Sequence, residues 1–141
     1  MKRSALILTA AVMLMSGCTG GGSGSSEASS LADSVSYHQI TQEEASVMMT
    51  KNDGHVIVDV RRQDEYDSGH IPGAILIPNE SITDKQPQQL PDLNQVILIY
   101  CRSGRRSKEA SQKLADMGYT NIYEFGGINT WTGEVEKQPR S

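Results

Sequence analysis

The run Cys101-Arg102-Ser103-Gly104-Arg105-Arg106-Ser107 brings one thiol, three guanidinium groups, two hydroxyls and a glycine together within seven residues. It follows Val96-Ile97-Leu98-Ile99-Tyr100, an apolar, β-branched run that reads as a strand. It leads into a segment with Ala110, Leu114 and Met117 at helical spacing. A loop from strand to helix aims free backbone N–H groups and the positive end of the helix dipole at one spot, and Gly104 permits the curvature this needs. A cysteine at the mouth of such a nest is expected to be favoured as thiolate, the form that acts as a nucleophile. The same nest suits an anionic ligand. The plain alternative is a buried strand-end cysteine before a solvated basic helix start, and the concentration of charge in RSGRRS favours the reactive reading.

A loop can hold this geometry only if rigid elements flank it. Val56 to Val60 (VIVDV) and Val96 to Tyr100 (VILIY) are apolar on consecutive positions, the pattern of strands covered on both faces in a parallel sheet. Ala74 to Ile77, Ile122 to Phe125 and Tyr37 to Ile40 are weaker strand candidates. Thr41-Gln42-Glu43-Glu44 has the form of a capping box, and Ala45, Met48 and Met49 supply an inner helical face behind it. The second helix is expected to stop at Gly118, which can take a left-handed conformation. Alternating strands and helices predict an α/β sheet with right-handed crossovers, whose ligands bind beyond the carboxyl ends of the strands. Cys101 falls there.

The chain has 141 residues, enough for one domain with extensions, and its 37% hydrophobic and 21% charged residues are those of a folding chain. Residues 1–17 have a basic start (Lys2, Arg3), an apolar stretch of 11 residues from Ala5 to Met15, and Ser16-Gly17 before Cys18. This is a secretory layout, too short for a span that needs about 20 residues. The small-small-Cys ending resembles the bacterial lipoprotein signal, in which the cysteine is lipidated. An ordinary secretory peptide with an incidental cysteine is the alternative. Residues 19–34 are rich in Gly and Ser and read as a flexible tether with an end-to-end distance of about 20–24 Å. The expected organisation is therefore a signal peptide at 1–17, a lipidated Cys18 and linker at 18–34, and a domain at 35–141. Its location would be extracytoplasmic, at the cell surface or in the periplasm, with contact to membrane through the lipid anchor only. The formal net charge is −4, and loss of Lys2 and Arg3 takes it to −6, a balance that speaks against nucleic acid as a partner. With Cys18 used in processing, the domain keeps one thiol and can build neither a disulfide framework nor a cysteine zinc site.

Four separated blocks resemble the rhodanese family of single-domain sulfurtransferases. They are Asp59-Val60-Arg61 with Glu65-Tyr66; Gly69-His70-Ile71-Pro72-Gly73-Ala74 leading to Ile77-Pro78; the loop CRSGRRS; and Gly126-Gly127 with Trp131. The resemblance runs from about Tyr37 to Lys137. It implies an open, mostly parallel five-stranded sheet with helices on both faces. It also implies that Cys101 takes a sulfane sulfur as a persulfide, cradled by the loop from Arg102 to Arg106, with Ser107 closing the substrate-binding set. The donor would be an anion such as thiosulfate, and the acceptor a thiol, cyanide or a partner protein's cysteine. No cofactor is implied, and His38 and His55 have no partners at metal-ligand spacing, so no metal is expected. Asp59 and Arg61 end a strand on the sheet edge that carries Cys101; they are expected to orient the loop, most simply as a buried pair. His70 reads as part of a loop-shaping element rather than a general base, and Trp131 as core or pocket rim.

Two other functions compete. Related folds host phosphatases and arsenate reductases, but their loop is one residue longer, with His before the cysteine and Arg six positions after it. Here Tyr100 and Ser107 stand at those positions. A binding module that has lost catalysis is the third possibility, and the presence of Cys101 with a full cationic loop speaks against it.

Overall fold

A computed structural model describes residues 36–138. The expected signal peptide, Cys18 and linker lie outside the described residues. Five strands, β1 (His38–Gln39), β2 (Val56–Asp59), β3 (Ile75–Leu76), β4 (Val96–Cys101) and β5 (Asn121–Gly127), form one sheet in the order β1-β5-β4-β2-β3, and every pairing is parallel. Three α-helices connect them: α1 (Gln42–Met49), α2 (Gln63–Ser68) and α3 (Arg105–Asp116).

Side chains alternate across β4, and this divides the core in two. Ile97, Ile99 and Cys101 join Val58, Val60, Ala110 and Leu114 on the α3 side. Leu98 and Tyr100 join Ile57, Phe125, Ala45 and Tyr66 on the α1 and α2 side. Helices thus cover both faces, which is why the central strands are apolar on consecutive residues.

At the start of α1 the capping box forms: Thr41 Oγ1 accepts from the Glu44 N–H at 3.1 Å, and Glu44 Oε2 accepts from the Thr41 N–H at 2.7 Å. Helix α3 ends before Gly118, whose φ is +104°. Helix α2 has no counterpart in the periodicity, because QDEYDS carries no apolar stripe. It begins instead where the Glu65 carboxylate accepts from the Arg62 N–H at 3.1 Å.

Candidate active site

Cys101 is the last residue of β4 and is 1% exposed. The Gly104 N–H donates to its Sγ at 2.9 Å. Gly104 makes the turn with φ +106° at the N-cap of α3, so the loop doubles back over the sulfur and the N-terminus of α3 follows directly. The Gly126-Gly127 pair at the end of β5 presses on this loop from behind. A Cβ at Gly127 would collide with the Arg102 carbonyl, and the Asn129 N–H donates to that same carbonyl at 3.2 Å. Helix α1 holds the pair in place, since Gln42 Nε2 donates to the Gly127 carbonyl at 2.8 Å.

The three loop arginines hold different positions. Arg102 is exposed, and among the described residues its guanidinium enters no ion pair. Arg105 makes an exposed pair with Glu109 along α3 at 2.9 Å. Arg106 forms a largely covered bidentate pair with Glu65 of α2, at 2.8 and 2.9 Å. Hydrogen bonds from Arg106 hold the Glu65 carboxyl down to about 2; burial opposes this and the Arg62 N–H adds to it. A cavity of about 350 Å³ opens over the loop, walled by Arg62, Arg102, Ser103, Arg105 and Arg106 with Glu65 and Glu80. Four cations against two carboxylates make it a place for an anion. Arg62 and Glu80 were not singled out in the sequence; their place here comes from the turn into α2 and the 3-10 turn Asn79–Ser81.

Ser107 differs from its expected place in the substrate-binding wall. Its side chain is 0% exposed and points inward, with Oγ 3.4 Å from Cys101 Sγ and 2.6 Å from Glu124 Oε1. The residue lies in the first turn of α3 on the stripe that carries Ala110 and Leu114, and that stripe faces the sheet. Glu124, 3% exposed in β5, was missed altogether, although a carboxylate inside the apolar run Ile122 to Phe125 was a readable signal.

Asp59 and Arg61 share the sheet edge with Cys101 but lie on the opposite face, because Asp59 pairs in register with Tyr100. Arg61 Nε and Nη2 donate to the Asp59 carboxylate at 2.6–3.0 Å, and Nη2 also donates to the Gly69 carbonyl at 2.6 Å. Tyr100 Oη donates to Asp59 at 2.7 Å and accepts from the Ile71 N–H at 3.0 Å. Burial first, and the Asp59 charge next, push the Tyr100 phenol up, so it stays a donor. The buried pair therefore fixes the 69–71 loop. Both His70 ring nitrogens are engaged, with the Tyr66 carbonyl at 2.9 Å and Glu136 at 3.1 Å, where the residue ties down the C-terminal segment. Trp131 packs beside Phe125 and lines a separate cavity of about 760 Å³ on the α1 side, away from the loop.

Residues 41–134 match the rhodanese-like domain, and the chain belongs to that family. It is 37% identical over 71 residues to thiosulfate sulfurtransferase PspE of Escherichia coli, covering 50% of this chain and 68% of PspE. It is 34% identical over 95 residues to the adenylyltransferase and sulfurtransferase UBA4 of Meyerozyma guilliermondii, covering 62% of this chain but only 22% of that longer protein. A rhodanese-like domain protein from Staphylococcus aureus superposes with a TM-score of 0.63 at 30% identity, covering 72% of this chain and 99% of that one.

Proposed function

We propose that the protein is a sulfurtransferase that takes a sulfane sulfur from an anionic donor such as thiosulfate onto Cys101 and hands it to a thiophilic acceptor. The observation that carries this reading is the Gly104 N–H donating to Cys101 Sγ at the start of α3, in the loop whose other residues line a cavity walled by four arginines. Relatives named as thiosulfate sulfurtransferases add support.

In the first step Cys101 attacks the outer sulfur of thiosulfate. The donor's S–S bond breaks, sulfite leaves with the electron pair, and Cys101 carries a persulfide. The Arg102 and Arg105 side chains attract the dianion, and the loop N–H groups receive the terminal sulfur's charge. In the second step an acceptor attacks the terminal sulfur and Cys101 departs as the leaving group.

Cys101→Ser should lower thiosulfate:cyanide turnover by several orders of magnitude, as loss of a covalent nucleophile commonly does. Intact mass after thiosulfate treatment should show one added sulfur in the wild type and none in the variant. No adduct on the wild type would point to a binding module instead.

We also propose that Cys18 is lipidated and anchors the protein outside the cytoplasm, a reading supported by the Ser16-Gly17-Cys18 ending of the apolar leader. Several acyl chains anchor stably where one alone is marginal. Fractionation of a bacterial host should place the wild type with membranes and release Cys18→Ala or leave it as precursor. A wild type found wholly in the soluble fraction would sink the idea.

A further inference from the structure

Behind the sulfur, Glu124 is almost fully buried in a strand whose neighbours Ile122 and Phe125 are apolar, and among the described residues it forms no ion pair. Its Oε1 accepts from the Gly126 N–H at 2.9 Å and lies 2.6 Å from Ser107 Oγ. A glutamine would satisfy both contacts without the cost of burying a charge. The contact of 2.6 Å is in the range of a charge-assisted O–H···O⁻ bond, so the single Ser107 proton points to Glu124. The Cys101–Ser107 contact of 3.4 Å is then an S–H donation to Ser107 Oγ. Cys101, Ser107 and Glu124 form a continuous chain from sulfur to carboxylate.

We propose that Glu124 is a positioning residue that, acting through Ser107, receives the proton Cys101 must give up to become a nucleophile. As Cys101 passes its proton to Ser107 Oγ, Ser107 passes its own to Glu124 Oε1. Two protons move, and one negative charge passes from carboxylate to sulfur. The resulting thiolate accepts from both the Ser107 O–H and the Gly104 N–H, while Glu124, now a carboxylic acid, donates to Ser107. Every group in the chain keeps a partner in both arrangements, as a buried polar network requires. Glu124 holds that proton while the persulfide exists and can return it when the acceptor strips the sulfur. Glu124 also lines a cavity of about 390 Å³ on the far side of the loop. Lys108 of α3 is the charged group sharing that cavity, whereas β1 and the start of α1 face it with Gln39, Thr41 and Gln42.

The inference rests on the reading of Cys101 as the sulfur-carrying residue, and the test separates the two. The full domain is loaded with thiosulfate by rapid mixing while sulfite release and the carboxyl region of the infrared spectrum are followed. One protonated-carboxyl band should appear with sulfur loading in the wild type and be missing in Glu124→Gln. Loading should slow by about 10²-fold in Glu124→Gln and Ser107→Ala, the usual scale of proton-transfer assistance, and Ser107→Thr should restore most of the rate. Circular dichroism checks folding, and if Glu124→Gln does not fold, the wild-type band decides alone. Loading without a carboxyl band, or a folded Glu124→Gln that loads at the wild-type rate, overturns the relay and leaves the sulfurtransferase reading standing. A wild type that takes up no sulfur overturns both.

Discussion

Arg102, Arg105 and Arg106 carry the same charge but can spend it differently. Exposed Arg102 has its guanidinium to offer a ligand, and Arg105 shares its own with Glu109 in a pair open to water, worth little to stability. Arg106 is committed twice over to Glu65, with side chains only 17% and 14% exposed, so it braces the N-terminus of α3 against α2 and lends the cavity a charge that cannot swing away. Arg102→Ala should therefore raise the KM for thiosulfate with little change in kcat, whereas Arg106→Ala should lower kcat by moving the loop. Steady-state kinetics on the two variants check this, and matching effects would count against separate roles. The same pair gives a pH signature. Glu65 sits at about 2 in the folded protein, below the roughly 4.3 of a free glutamate. A depressed carboxylate contributes stability that is complete above the unfolded value and is lost as pH falls toward the folded one. Thermal melts should show wild-type Tm falling more steeply than that of Glu65→Gln between about pH 4.3 and 2. Parallel curves would remove the pair from the account of acid stability.

Between residue and fold, what matters is how closely elements approach one another. Gly104 and Gly127 are both required, for different reasons: Gly104 has φ +106°, while Gly127 has an ordinary extended φ of −131° and lacks only room. Gly127→Ala should displace the Arg102 carbonyl, and overpacking of this kind costs about 1–3 kcal/mol. Its larger effect should be on turnover, because a shift of about 1 Å at a positioned site can cost about 10²-fold. Denaturant titration beside kinetics checks the order, and a stability loss with full activity would show that the loop does not rely on β5. The central strands were legible because burial on both faces writes an unbroken apolar run into the sequence, and α1 and α3 because burial on one face writes a period of 3.6. Helix α2 was not, since six residues with a single core side chain, Tyr66, write no period. Ser107 was legible in part: its spacing to Ala110 and Leu114 puts it on the inward stripe of α3, but a hydroxyl in a cationic loop reads first as a ligand contact. The face of Asp59 depends on its register with Tyr100, which spacing within one strand does not carry.

At the scale of the molecule, an acidic chain of net charge −4 gathers four of its seven arginines around the loop that carries the only thiol among the described residues, an arrangement that favours anions there. That single thiol also limits what the site can do afterwards. Enzymes that cycle a reactive cysteine by oxidation often keep a resolving cysteine close by. Here Cys101 lies buried with the Gly104 N–H and Ser107 Oγ as its polar neighbours, and among the described residues there is no second thiol to close a disulfide. On the proposed reading, with Cys18 lipidated, a sulfur loaded on Cys101 would leave by attack from outside, by cyanide, a small thiol or a partner's cysteine. The persulfide should accordingly be long-lived when no acceptor is supplied. The check is to load the domain with thiosulfate, remove excess donor, and follow intact mass with and without added thiol. Loss of the added sulfur only when thiol is present is the expected result. Equal loss in both samples would mean that the sulfur escapes without an acceptor, and the site could not then serve as a carrier that waits for its partner.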